Sequence, residues 1–149
     1  MSNRDAFLTM IAHSEGTNLI PDSDDGYRAL VGGGTFASYA GHPRKMVWIS
    51  RLNLWSSAAG RYQILARTFD AYKQTLGLTS FDPVSQDSIA AQMIKERGAL
   101  PLIDAGNIQD AIAKVANIWA SLPGAGYHQS ERPMDFLLAA YTGAGGTLA

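Results

Sequence analysis

The sequence predicts an α+β fold, a mostly helical body carrying a small β lobe near its N-terminal third. Three observations carry this. Apolar residues recur at helical spacing over residues 3–14 and again through the second half of the chain. Between them, "ALVGGGTFASYAG" (29–41) and "KMVWISRLNLW" (45–55) hold short β-prone runs broken by glycines. No repeat, linker or low-complexity block divides the 149 residues, so they read as one domain, 1–149, with the β lobe at roughly 28–56.

Each element has a local reason. Residues 3–14 place Phe7, Leu8, Met10 and Ile11 on one side, with Ser2 or Asn3 as cap and Gly16 as stop. "TNLIPDSDDGYR" (17–28) is polar and rich in Asp and Gly, a loop. The two β-prone runs predict two or three short strands. Ile64, Phe69, Tyr72 and Leu76 then recur at helical spacing up to Gly77. "PVSQDSIAAQMIKERG" (83–98) predicts a helix with Ser85 as N-cap and a basic last turn. "NIQDAIAKVANIWASLPG" (107–124) puts Ile108, Ile112, Val115 and Trp119 on one stripe, and Pro123 and Gly124 mark its end. "RPMDFLLAAYTGAGG" (132–146) is a last helix with a glycine-rich end.

Bulk properties narrow the function classes. Hydrophobic residues are 46% and charged residues 17%, ordinary for a soluble globular protein. The net charge of −1 gives no basic excess for nucleic acid or a membrane surface. Without cysteine there is no disulfide, thiolate nucleophile or cysteine zinc site. The N-terminal "MSNRDAFLTMIAHSEG" lacks the apolar run of a signal peptide, and no stretch has the roughly 20 apolar residues of a membrane span. A chain made and kept in the cytosol is expected.

Several motifs carry nothing specific. The triple glycine at 32–34 lacks the lysine of a P-loop and the spacing of a dinucleotide fingerprint. "DSDDG" (22–26) fails the calcium-loop pattern: starting from Asp22, Gly26 falls on a ligand position and Gly33 on the glutamate. His13, His42 and His128 have no metal-ligand spacing; polar or packing roles are their ordinary reading. His42, beside Pro43 and Arg44, is also a candidate substrate-binding residue. There is no GxSxG nucleophile.

Carboxylate chemistry remains. Glycoside cleavage commonly uses one carboxylic acid to protonate the leaving oxygen and a second carboxylate as base or nucleophile. Glu15, in "AHSEGT", closes the first helix, where the negative helix pole and burial in a cleft would both raise its pKa. Asp24, nine residues on, is the candidate second carboxylate. That spacing resembles the glutamate–aspartate pair of hydrolytic phage lysozymes, but Leu30 stands where their threonine would fall. "SAAGRYQIL" (57–65) joins an aromatic to an amide at a loop–helix junction, the kind of pair that sugar sites use. A core tyrosine at a helix start fits the same residues. "SLPGAGYHQ" (121–129) is by itself a loop.

Taken together, "SEGT", "HPRK", "AGRYQ", "DAYKQTLGL", "SQD", "IKERGALP" and "NIWASLPGAGY" occur in an order that resembles the lambda-type phage endolysins, from about residue 5 to residue 129. The resemblance implies a lysozyme-like fold with a cleft between a β lobe and a helical lobe. It implies lytic transglycosylase activity on peptidoglycan: cleavage of the β-1,4 bond between N-acetylmuramic acid and N-acetylglucosamine, with a 1,6-anhydro-muramoyl end. The family's catalytic glutamate falls on Glu15. Gly60, Arg61, Tyr62 and Gln63 fall at the cleft, and Tyr127 near the sugar subsites. One departure is Arg28, which stands where the family has an aspartate after "GY". No metal or cofactor is implied. The alternatives are a hydrolytic muramidase using Glu15 with Asp24, and a wall-binding module without catalysis. The expected partner is the peptidoglycan glycan strand, with no nucleic acid and no stable membrane association, and the chain is expected to be a monomer. With no signal peptide, the resemblance implies an endolysin held in the host cytoplasm until a holin lets it reach the cell wall, although a virion-associated lysin would use the same domain.

Overall fold

The computed structural model describes residues 2–126 and 130–149. The chain folds as two compact units, divided after Glu15 and again within a helix after Ile89.

The first unit holds the residues up to Glu15 and those from Ala90 to Ala149. It opens with α1 (Asn3–Glu15). Of the two cap candidates, Ser2 does the work. Its hydroxyl oxygen accepts the Asp5 N–H at 3.1 Å, while its own N–H and O–H donate to the Asp5 carboxylate, a reciprocal capping box. Phe7, Met10 and Ile11 are fully buried. α1 packs on α6 (Met134–Gly143) and on α4 (Leu100–Asp104), and α4 packs on α5 (Ile108–Val115). Asn3 ties the helix start down, donating to the Ile103 carbonyl and accepting the Thr147 N–H, each at 3.0 Å.

Two expectations for this unit are corrected. α4 was not foreseen, because a five-residue helix starting at Leu100-Pro101 is too short to show periodicity. The helix expected over 107–124 ends at Val115. Beyond it the backbone changes to three-residue turns, Ile118 N–H to the Val115 carbonyl and Leu122 N–H to that of Trp119. The apolar stripe continues through this change, since Trp119 and Leu122 are buried. Periodicity follows burial, and burial here does not need a helix.

The second unit, Gly16–Ile89, contains a 3₁₀ turn (Thr17–Leu19), the antiparallel pair β1 (Val47–Ile49) and β2 (Leu54–Ser56), α2 (Ala66–Leu76) and the first half of α3 (Pro83–Glu96). Its core is an aromatic cluster in which the Phe81 ring lies 5.2 Å from Phe69 and 6.0 Å from Phe36. The β lobe holds two strands among the described residues, within the two or three expected. Residues 29–41 form no strand, only the isolated bridges Ala29–Thr35 and Leu30–Ala59, since Gly32 and Gly33 at φ 88° and 99° turn the chain back between Ala29 and Thr35. Ile64, expected within a helix, instead bridges Ala59 before α2 begins. The cap of α3 is Asp82, which accepts the Ser85 N–H at 2.9 Å and leaves Pro83 at the first helical position, where proline is favoured. Ser85 was the expected cap. No helix among the described residues is long and apolar enough to cross a membrane.

Candidate active site

Glu15 is the last residue of α1. The buried apolar face fixes the helix in its core, and Gly16, at φ 76°, turns the chain away immediately afterwards. Ser14 secures the same turn through a 2.7 Å hydrogen bond between its hydroxyl and that of Ser121, both buried. Arg132 Nε donates to the Ser14 carbonyl at 3.0 Å, satisfying one of the open acceptors of the helix end and bringing a guanidinium near Glu15.

Burial pushes the Glu15 carboxyl from its ordinary 4.5 up to about 7, and Arg132 pulls part of the way back. Desolvation penalises the charged form, so the proton is held into the neutral range. Among the described residues the carboxyl makes no hydrogen bond or ion pair. Such a group can both give up and take back a proton near pH 7.

The other candidates in the described chain belong to the second unit. Gly60 sits at φ 82° with its N–H on the Ala29 carbonyl at 2.7 Å. A Cβ there would lie 2.4 Å from Gln86 Oε1, so no side chain fits. Gln63 adopts φ 53°, unusual for a non-glycine residue, and donates Nε2 to the Gly60 carbonyl at 2.9 Å. Its side-chain carbonyl remains without a partner among the described residues. The strained turn thus presents an amide oxygen.

Tyr62 is 1% exposed. Its hydroxyl donates to Asp87 at 2.6 Å and accepts from Arg61 Nη1 at 3.0 Å, and burial pushes its pKa far above the phenol range. The ring is a core element, and no face is left open for a sugar. His42 is also buried, with both ring nitrogens engaged. Nδ1 accepts the Arg44 N–H at 3.0 Å, so Nε2 carries the proton and donates to the Ile64 carbonyl at 2.8 Å. Burial pushes its pKa down, and the ring packs 4.9 Å from Phe81. Asp24 is exposed, at φ 53°, and accepts the Tyr39 hydroxyl at 2.5 Å. The Arg28 guanidinium lies over that tyrosine ring, 4.7 Å from its centre. Tyr127 lies outside the described residues.

Two residues given no role by sequence reasoning hold the 60–63 turn. Asp87 accepts the hydroxyls of both Tyr27 and Tyr62. Gln86 is fully buried; Nε2 donates to the carbonyls of Tyr27 and Phe81, and Oε1 accepts the Arg61 N–H, each at 2.9 Å. The signal was available: Gln86 stands three and four residues before Ile89 and Ala90, a polar residue on the buried stripe of a helix.

A family model described as Endolysin matches residues 5–148. The chain is 52% identical over 149 residues to the endolysin of Escherichia phage lambda, covering 99% of this chain and 94% of that protein. It is 44% identical over 154 aligned positions to the endolysin of Escherichia phage P2, covering 97% and 93%. Bacteriophage lambda lysozyme solved in complex with a chitohexasaccharide superimposes with a TM-score of 0.96 at 52% identity, covering 100% of this chain and 98% of that one. A second structure of the lambda lysozyme gives 0.91 at 51% identity, with the same coverage. These matches bear out the lysozyme-like α+β fold, and the chain belongs to the endolysin family, phage lysins that cleave peptidoglycan.

Proposed function

We propose that the chain cuts the β-1,4 bond between N-acetylmuramic acid and N-acetylglucosamine as a lytic transglycosylase, with Glu15 acting first as acid and then as base. The observation that carries this is the Glu15 carboxyl itself: half-buried at a helix end, without an ion pair among the described residues, and protonated up to about pH 7. Protonated Glu15 donates to the glycosidic oxygen as the bond to the muramic C1 breaks. The N-acetylglucosamine leaves as an alcohol, and positive charge develops on the muramic ring. The ionised Glu15 then takes the proton of the muramic C6 hydroxyl as that oxygen closes on C1. Atoms balance without water, and Glu15 ends protonated, ready for another turn. Because the C6 oxygen is tethered to the reacting sugar, proximity replaces the positioning of a water. Arg132 limits how far the pKa rises, so the carboxylate formed in the first step is stabilised without becoming the resting state.

The lambda lysozyme was solved with a chitohexasaccharide, which supports a glycan strand as the ligand of this chain as well. Gln63, whose amide oxygen has no partner among the described residues and sits on a strained turn, is the described residue best placed chemically to bind a sugar hydroxyl or N-acetyl N–H. Tyr127 stays in the proposal on family resemblance. Tyr62 and Gly60 act through the fold, shaping the turn that carries Gln63. Reaching the wall after holin-mediated release, as a monomer, completes the proposal.

The hydrolytic reading assigns Asp24 as the base that activates water. The test is Asp24→Asn, which keeps a residue tolerant of φ 53° and an acceptor for Tyr39. Turnover on purified sacculi is expected to change by less than about threefold. A general base would cost about a hundredfold or more. A loss of that size would put Asp24 in the mechanism.

A further inference from the structure

The β1–β2 hairpin carries two exposed tryptophans. Trp48 and Trp55 are direct cross-strand partners, so both indoles stand on one face. Their centroids are 5.4 Å apart, with the rings crossed at 61°. They are 45% and 60% exposed, whereas Trp119 is buried. Exposed indoles are costly to keep in water, and a paired set on one face marks a contact surface. The charge around them is one-sided. No Asp or Glu occurs between Asp25 and Asp70, while Lys45 and Arg51 flank the pair along the hairpin. The overall charge of −1 hides this local basic character.

We infer that the Trp48–Trp55 face is a glycan-docking platform on which the indoles take the apolar faces of sugar rings and Lys45 and Arg51 take the carboxylates of the wall polymer. The inference rests on peptidoglycan being the substrate. It adds an anchoring site built from residues outside the proposed chemistry. Peptidoglycan offers both complements at once: pyranose faces along the strand, and carboxylates on its lactyl and peptide substituents. An anionic bilayer would also complement indoles and basic groups. The tip of the hairpin argues against it. Of the four turn residues, Ser50, Arg51 and Asn53 are exposed and the apolar Leu52 is half-buried, and the tryptophans stand behind them in the strands. A hairpin that enters lipid needs apolar residues at its tip; hydroxyls and an amide suit sugar.

The test uses the whole chain in a Glu15→Gln background, so that sacculi are bound without being cut. Affinity for purified sacculi is measured by co-sedimentation for this protein, for added Trp48→Ser/Trp55→Ser, and for added Trp48→Phe/Trp55→Phe. Vesicles of neutral and of anionic phospholipid are run in parallel. Loss of about tenfold in affinity for sacculi with the serine pair, mostly recovered with the phenylalanine pair, is the expected result. Titration of soluble muropeptide fragments into the unsubstituted hairpin is expected to shift the emission of the exposed indoles. That reading stands even where the serine pair fails to fold. Equal affinity of all three proteins, an unshifted emission, or loss confined to anionic vesicles would each overturn the inference. Fragment release from sacculi by the unsubstituted enzyme reports separately on peptidoglycan as substrate.

Discussion

Glu15→Gln abolishes cleavage and makes the protein more stable at neutral pH. The first effect follows from removing the one group that both gives and takes the proton; a fall of at least about a thousandfold in turnover is expected. The second follows from linkage. The folded carboxyl has a pKa of about 7 against an ordinary 4.5, so the folded state holds the extra proton between those values. Stability therefore falls as pH rises from about 4.5 to about 7, and the penalty is fully present above 7. Glutamine cannot ionise and escapes it. The variant should match the parent in unfolding free energy near pH 4 and exceed it by on the order of 2 kcal/mol near pH 8. Denaturant titrations at the two pH values measure this. Equal stability at pH 8 would mean that the carboxyl is well solvated and the proton-holding argument is wrong. The same ionisation predicts that kcat/KM of the parent enzyme falls as pH rises through about 7, because the resting acid is then lost.

Gly60→Ala is expected to be strongly destabilising. Alanine at φ 82° carries a backbone penalty of about 1–2 kcal/mol. Its Cβ would also meet Gln86 Oε1 at 2.4 Å and Cδ at 2.8 Å, and Phe81 Cζ at 3.0 Å. Gln86 cannot retreat without breaking three buried hydrogen bonds. A total near 3 kcal/mol or more is expected, which for a chain of this size is a drop in Tm of about 10 °C. Gly33→Ala is the control: φ is 99° there as well, but nothing lies within 4 Å, so only the backbone penalty applies. Thermal unfolding of the pair separates close approach from backbone strain. Equal losses would show that the Gln86 contact yields freely.

How much of this was legible beforehand depends on how local the cause is. Glu15 was readable because its placement rests on adjacent residues: an apolar helix face, then a glycine that can only stop it. Its raised pKa was anticipated for two reasons, helix pole and burial, and burial is the cause that raises it. The cap of α3 was misplaced from Asp82 to Ser85 because both are good cap residues within one turn, and only Pro83 distinguishes them. Tyr62 and His42 illustrate the opposite limit. Whether an aromatic faces a sugar or a core is decided by residues distant in sequence, here Asp87 for Tyr62 and Phe81 for His42. The hydrogen-bond partners of Gln86 span residues 27 to 81, so no window of sequence contains the network that holds the 60–63 turn. Helical spacing foretold that Trp119 would be buried with α5, yet could not say where the helix itself would end.

The central claim is that one carboxyl group, Glu15, acts twice and the sugar closes on itself. Mass spectrometry of the fragments released from purified sacculi tests it most directly. Muramic ends in the 1,6-anhydro form, one water lighter than reducing ends and present from the first time points, are the predicted result. Fragments carrying reducing muramic ends, with solvent oxygen incorporated at C1, would contradict it.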